Sequence, residues 1–345
     1  IKERTDKMIR TFTKKGIDIE VMSIKDASQL STAVTVGVRS SIMKTVTVAS
    51  YAHSGFDTTL NDLLERRRTT VKTALKTKAT TAVQPSSLKS FSIESRVPSI
   101  EEWKESRPVK VQVYRTADIT SIDDILTPTG VTDNPKRMLM RRAPNPFAEG
   151  AVRLAYHGQL ARSSSQLDNA QSAMVLKSFK HMGKGLHDLK QYTKQMEVSI
   201  IASYLAEEYN ETDRPAHCGR VSYLDVSVIE EASDENERIG ERRFCVEPPL
   251  PLGPFIKFNS NTGYWNEAHL DETLLRFSVF TYEATDGYLM LTDLQGVKNG
   301  ADFVLTDPAI LCKDVLRFGN TNLGEEFINR CMESTKAHME ERGWD

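Results

Sequence analysis

No run in this 345-residue sequence approaches the roughly 20 apolar residues needed to cross a bilayer. The opening Ile-Lys-Glu-Arg-Thr is too charged for the core of a secretory leader. Neither a membrane span nor a membrane partner is expected. The chain also begins without methionine, as expected of a piece of a longer protein. Its four cysteines, Cys218, Cys245, Cys312 and Cys331, form no Cys-x-x-Cys pair, which excludes a disulfide framework and fits buried free thiols in a reducing, cytoplasmic compartment. Aromatic residues are not interleaved with the basic ones, so nucleic-acid binding is not expected. There is no internal repeat.

What is present is divided by charge. Residues 1–110 carry 20 Lys and Arg against 12 Asp and Glu, whereas residues 111–345 carry 25 against 35, although the whole chain is only −2. The basic part is either a solvated face or the docking region for an acidic partner. A hydrophobic content of 39% allows one large core. Gly16 to Ile24 alternates like a strand, and Asp26 to Val38 has a more helix-like spacing. Leu60 to Lys78 reads as a basic amphipathic helix with Leu60, Leu63 and Leu64 on one face. The Thr-, Ser- and Pro-rich stretch after it reads as a linker. The expected organisation is an N-terminal segment at 1–78, a linker at 79–108 and a catalytic-type domain at 109–345.

The chemistry gathers in the C-terminal half. Lys177 lies in the run Met174 to Phe179, where a central strand normally carries apolar side chains; it is tolerated if its ammonium meets an anion. Lys180 is its rival. Leu186 to Tyr209 repeats apolar residues at three- and four-residue steps and predicts an amphipathic helix, with Glu197 beside Met196. Two apolar runs, Tyr288 to Leu291 and Phe303 to Leu305, deliver Asp293, Gln295 and Asp307 to the rim of a sheet. Hard oxygen donors there suit Mg²⁺, although an aspartate before Pro308 is also an ordinary turn former. His157 and His217, each near apolar residues, read as packed histidines rather than general bases.

Several segments resemble, in register, the atypical alpha-kinases, the family of myosin heavy chain kinases and elongation-factor-two kinase. They are Phe147 to Tyr156, Val175 to Phe179, Gln195 to Glu197, Val228 to Glu230, Lys257 to Gly263, Leu289 to Val297, Thr306 to Pro308 and Phe318 to Gly324. The resemblance covers about Pro135 to Gly324. It implies a two-lobed α+β kinase fold and ATP- and Mg²⁺-dependent phosphoryl transfer to Ser or Thr of a protein substrate. Among its implied roles, Lys177 contacts the phosphates and pairs with Glu197. Gly150 and Arg153 belong to a loop over the phosphates. Backbone groups of Glu230 and Ala232 pair with adenine, Gln295 and Asp307 hold the metal, and Asp293 orients or deprotonates the acceptor hydroxyl. Gly319, Asn322 and Gly324 help bind the peptide.

Fusion of some alpha-kinases to von Willebrand A-type domains makes such a domain's tail a candidate for residues 1–78, although no Asp-x-Ser-x-Ser motif is present. The alternative reading of the whole is a pseudokinase or scaffold that binds nucleotide without transfer. The family's structural zinc site is expected to be absent. Its upstream histidine position falls at Val279, and Phe327 to His338 lacks the His-x-Cys-x-x-x-Cys pattern. A relocated site built from Cys245, Cys312, Cys331 and His338 remains open.

Overall fold

The computed structural model describes residues 17–22, 32–38, 48–50, 92–131, 134–150, 152–180, 188–231 and 243–344. The expected helix at Leu60 to Lys78 and Ala232, expected to pair with adenine, lie outside them. Strands β1 (Ile17–Met22), β2 (Thr32–Val38) and β3 (Val48–Ser50) form an antiparallel sheet, with Ile17 opposite Val38 and Thr32 opposite Ser50. The helix-like spacing at Asp26 to Val38 is thus wrong over residues 32–38. Val34, Val36 and Val38 alternate, and β-branched residues favour the pleated surface over a helix.

The expected linker also ends early. Helix α1 (Ile100–Glu105) is capped reciprocally: the Ser99 hydroxyl accepts from the Glu102 N–H, and the Glu102 carboxylate accepts from the Ser99 N–H at 2.7 Å. Trp103 is buried, and the Glu94 N–H donates to the Pro146 carbonyl at 2.8 Å. The folded unit therefore begins at least as early as Glu94, ahead of the expected start at 109.

Strand β4 (Val109–Tyr114) enters a seven-stranded antiparallel sheet, and α2 (Ile122–Leu126) follows it. Next come β5 (Lys136–Arg142), β6 (Ala148–Glu149), β7 (Arg153–Ala161), α3 (Ser164–Leu167) and β8 (Ala173–Phe179). After the long α4 (Leu189–Asn210) and the short β9 (Val221–Tyr223), strands β10 (Ser227–Glu231) and β11 (Arg243–Glu247) complete the sheet. Its order is β5-β4-β10-β11-β8-β7-β6. The first half of β7 pairs with β6 and its second half with β5, which closes six strands into a ring. Gly158 makes the curl possible: a Cβ there would lie 2.6 Å from Leu176 Cδ1. Val111, Val113, Met140, Leu160, Leu176, Ile229, Phe244 and Val246 pack together as this sheet's core.

The second half begins at β12 (Ile256–Lys257) and α5 (Glu272–Ala284). It continues through β13 (Leu289–Thr292), β14 (Gln295–Asn299), β15 (Asp302–Leu305), β16 (Ala309–Cys312) and α6 (Glu325–Glu340). Strands β12-β14-β15-β9 form one sheet, in which only β15 and β9 run parallel, and β13 pairs with β16. Leu289 and Leu291 of β13 enter the large core, whereas Met290 packs with Leu311, Ile328 and Cys331. Both faces are buried, which is why the strand reads as an unbroken apolar run.

Helix α4, about 33 Å long for its 22 residues, joins the halves. Its Tyr192 and Met196 pack with Val228 and Cys245 of the first sheet, and its Ile201, Leu205 and Tyr209 enter the large core. The helix predicted from Leu186 is present from Leu189; residues 186 and 187 are not described.

Candidate functional site

Leu176 of β8 points into the ring and is fully buried, so the alternation of the strand sends Lys177 to the opposite face. There its ammonium meets three acceptors: Glu247 Oε1 at 2.5 Å, Asp307 Oδ1 at 2.9 Å and Thr306 Oγ1 at 2.9 Å. The Thr306 hydroxyl also lies 2.8 Å from both Glu247 oxygens. Arg153, the first residue of β7, donates from Nη2 to the same Asp307 Oδ1 at 2.8 Å. Gln295 Nε2 donates to the Asp307 carbonyl at 3.0 Å. Thr306 and Asp307, in the turn between β15 and β16, are thus one point where both halves of the molecule meet.

Lys177 was expected to pair with Glu197, and the structure corrects this. Glu197 lies on α4, and its Oε1 accepts from Arg317 Nε at 3.1 Å, Arg317 Nη2 at 2.6 Å and the Thr129 N–H at 3.2 Å. The lysine's carboxylate partner is Glu247, at the end of β11. An acid closes the apolar run Phe244-Cys245-Val246, but the run does not say which strand it lies beside. The rival Lys180 is held by Glu149 instead.

Two carboxyls share Lys177, Glu247 buried and Asp307 half-buried, and their surroundings push them apart. At Asp307 burial works against the charge, but Arg153 and then Lys177 outweigh it and hold the carboxyl below its usual range. At Glu247 burial dominates Lys177 and pushes the carboxyl up. Asp307 is therefore the resident anion. Its folded pKa is depressed, so its charge stabilises the fold above the unfolded value of about 3.9, and that contribution is lost as pH falls through the folded value. Asp307→Asn is expected to flatten the acid limb of a stability-against-pH curve; equal limbs in mutant and wild type would contradict this.

Asp293 follows β13 in the left-handed conformation, φ 55°, and Asp307 shares it at φ 51°. The strict strand alternation expected to bring Asp293 and Gln295 to one side is therefore broken at Asp293, and Gln295 opens a different strand, β14. Asp293 Oδ1 accepts from Lys257 Nζ at 3.0 Å and from the Asn261 N–H at 3.2 Å. The buried Asn259 fixes the turn, its Oδ1 accepting from the Leu294 N–H at 2.7 Å. Lys257 in turn sits opposite Gln295 in the β12–β14 ladder, which ties the Asp293 turn to the residue that touches Asp307.

Gly150 lies in the β6–β7 turn, where its N–H donates to the Arg153 carbonyl at 2.9 Å. Glu230 sits within β10, opposite Gln112 and Arg243. Its carboxylate is paired with Arg243 and accepts from the Tyr114 hydroxyl at 3.0 Å. Gly319 and Gly324 have φ of 74° and 90°, and a Cβ on Gly324 would lie 2.8 Å from Val315.

Asn322, expected to touch peptide, is fully buried. Its Oδ1 accepts from the N–H groups of Cys312 and Gly324, and its Nδ2 donates to the carbonyls of Asp314 and Arg317. It shapes the loop from inside and presents nothing to a substrate. Asn322→Ala is expected to cost on the order of 2 kcal/mol, by leaving buried backbone groups unpaired, a loss visible in denaturant unfolding.

The relocated cysteine site does not assemble. Cys245, Cys312 and Cys331 are buried and free in three separate apolar clusters, and His338 faces Glu267. Among the described residues the potential ligands that do come together are His217, Cys218 and Glu272, within 4.8 Å of one another. His217 is bonded to Glu272 at 2.8 Å, and Arg276 holds the other Glu272 oxygen at 2.7 Å. His157 stacks on Phe147 with centroids 4.2 Å apart.

Comparison with known proteins places this geometry. The alpha-kinase family model matches residues 148–338. The chain is 32% identical over 198 residues to alpha-protein kinase vwkA of Dictyostelium discoideum, covering 57% of this chain and 30% of that protein. It is 29% identical over 200 residues to myosin heavy chain kinase B of the same organism, covering 58% of this chain and 25% of that one. It thus spans a third or less of either relative. Among solved structures, an alpha kinase from Entamoeba histolytica superposes with a TM-score of 0.53 at 22% identity, over 70% of this chain and 89% of that one. The alpha-kinase domain of myosin heavy chain kinase A, solved in complex with AMP, gives 0.51 at 23% identity, over 66% and 94%. The fold is therefore the two-lobed α+β kinase fold expected from the sequence, and with its family model covering more than half its length, the chain belongs to the alpha-kinase family.

Proposed function

We propose that this chain is an ATP-dependent protein kinase that transfers the γ-phosphoryl group, with Mg²⁺, to serine or threonine hydroxyls of a protein substrate. The observation that carries the reading is the convergence of Lys177 and Arg153, one from each of two paired strands, on Asp307 from the other half of the molecule. Phosphoryl transfer asks a protein mainly to position phosphates and stabilise their charge. Two fixed cations over a depressed carboxylate supply that. The myosin and elongation-factor-two kinases among the relatives are named for protein substrates, which favours a protein acceptor here.

The donor set suits the metal. Asp307 Oδ1 is taken by Arg153 and Lys177, and Gln295 spends its amide N–H on the Asp307 carbonyl, which leaves Asp307 Oδ2 and Gln295 Oε1 without a partner among the described residues. One carboxylate and one amide oxygen, with phosphates and water for the rest, match the sparse protein ligation of Mg²⁺. When bound, the ion would neutralise charge on the phosphates. Arg153 and Lys177 would hold the phosphates from the first sheet, whereas Glu230, laddered to Gln112 of β4 and Arg243 of β11, lies inside the sheet with its backbone engaged and is not where adenine would pair. Asp293, steadied by Lys257 and Asn261, would orient the acceptor hydroxyl and take its proton. The loop from Gly319 to Gly324, shaped by Asn322, would support the peptide.

The test is transfer of labelled phosphate from ATP to the protein itself and to a generic basic protein. Transfer is expected with Mg²⁺ and should vanish on chelation with EDTA. Nucleotide binding without transfer in the presence of Mg²⁺ would overturn the enzyme reading and leave a nucleotide-binding scaffold.

A further inference from the structure

Helix α4 ends at Asn210, and the chain leading from it to β9 passes through Pro215-Ala216-His217-Cys218-Gly219. The Cys218 N–H donates to the Pro215 carbonyl at 2.8 Å, which makes residues 215–218 a tight turn with His217 and Cys218 at its exit. The next residue fixes that turn against the rest of the molecule. A Cβ on Gly219 would lie 1.8 Å from the Ala301 carbonyl oxygen, and the Gly219 N–H donates to the Thr273 hydroxyl at 3.1 Å. The turn is therefore pinned to the β14–β15 connection on one side and to the start of α5 on the other.

Helix α5 brings a third donor to it. Asp271 is spent as the N-cap, accepting from the Thr273 N–H at 2.9 Å and from Lys298 at 2.7 Å, so the carboxylate that reaches the turn is Glu272. One ligand atom each from Glu272, Cys218 and His217 lie within 4.8 Å of one another. Tetrahedral zinc with bonds of about 2.0–2.3 Å holds its ligand atoms roughly 3.3–3.8 Å apart, so the set is within about 1 Å of that geometry. His217, whose side chain is 68% exposed, has space to make the adjustment. An ion would take the place of the proton that bridges His217 Nε2 and Glu272 Oε2 at 2.8 Å. The supporting contacts are already made: Arg276 Nε donates to Glu272 Oε1 at 2.7 Å, and the Thr273 hydroxyl hydrogen-bonds Cys218. Cys218 and Glu272 are buried beneath the exposed His217, which gives an ion a floor and an entry path.

We infer that His217, Cys218 and Glu272 form a zinc site, with water in the fourth position. The donor set selects the metal. A thiolate with an imidazole and a carboxylate suits Zn²⁺, whereas Mg²⁺ and Ca²⁺ take oxygen donors. Binding releases the Cys218 thiol proton to solvent, and the bound ion would lock the turn ahead of β9 to the first turn of α5. The site shares no residue with the Lys177–Asp307 cluster, nor with the set Cys245, Cys312, Cys331 and His338, so the inference is independent of phosphoryl transfer.

The experiment is a titration of the full 345-residue chain, stripped of metal with a chelator and kept reduced, first with Co²⁺ and then with Zn²⁺. Cobalt(II) reports its ligands by colour. A thiolate-to-cobalt charge-transfer band in the near ultraviolet is expected at equimolar metal, with the strong visible bands of four-coordinate geometry, and equimolar Zn²⁺ should remove both. Cys218→Ser should abolish the charge-transfer band although three other cysteines remain. His217→Ala, at an exposed position, should keep the wild-type circular dichroism spectrum yet weaken Zn²⁺ binding by at least about a hundredfold, the upper range for losing even a ligand's supporting contact. Absence of the charge-transfer band in the wild type, its survival in Cys218→Ser, or equal Zn²⁺ affinity in wild type and His217→Ala would each overturn the inference.

Discussion

Asp293→Ala is expected to lower the rate of phosphoryl transfer by about 10²–10⁴-fold, the usual contribution of a positioned general base, and to leave nucleotide affinity unchanged. The separation follows from the geometry. Asp293 makes its contacts with Lys257 and the Asn261 N–H, on the side of the β12 segment, whereas Lys177 and Arg153 are tied to Asp307. Its turn is held by others: Asn259 secures the Leu294 N–H, and the Leu294 carbonyl accepts from the Phe258 N–H at 2.8 Å. Removing the carboxylate therefore subtracts a proton acceptor without dismantling the strand ends. Asp293→Asn sharpens the point, because an amide can still accept from Asn261 but cannot take a proton at neutral pH. Both variants should be equally slow in single-turnover assays while binding nucleotide normally by calorimetry. An asparagine variant retaining near-wild-type turnover would remove Asp293 from proton transfer.

Glu197→Leu is expected to destabilise the protein by about 3–5 kcal/mol, because it strands a buried guanidinium. In a domain of this size that corresponds to a fall in Tm of about 10 °C. Arg317 is 6% exposed, and besides Glu197 it donates to the carbonyls of Ile125 and Thr127 and stacks on the Phe318 ring with 4.4 Å to its centroid. Phe318 itself sits at φ 62°, a costly conformation for a bulky residue, and the surrounding contacts hold it there. The double variant Glu197→Leu/Arg317→Leu should recover part of the loss. Recovery stays incomplete because two carbonyls would lose their donor. Additive losses in the double-mutant cycle would show that the pair is not coupled.

The helix carrying Glu197 was readable because its apolar residues recur at helical steps over 22 positions, and the site strands because β13 and β15 are short apolar runs ending in acids. Lys177 was conspicuous as a charge inside such a run. Its partner was not: Glu197 was the expected one, and that Glu247 takes its place depends on which strand β8 lies beside. The β8–β11 register places Val175 opposite Glu247, a long-range fact with no local trace. Asn322 was misread for a related reason: a loop asparagine between glycines looks the same whether it faces solvent or caps four backbone groups. The closure of the sheet by β7 was invisible as well, because one strand serving two partners leaves an ordinary alternating pattern.

That closure bears on how the chain behaves among other unfolded and nascent chains. A sheet normally ends in strands whose unpaired amides and carbonyls can template a neighbour. Here, in the seven-stranded sheet, β7 takes up the flank of β5 from Leu139 onward, leaving among the described residues only the two-residue β6 and the start of β5, which opens with Lys136 and Arg137. A strand too short to register and a stretch guarded by two cations are poor seeds for intermolecular pairing, so the lobe that carries Lys177 and Arg153 is also protected against aggregation from its own edges.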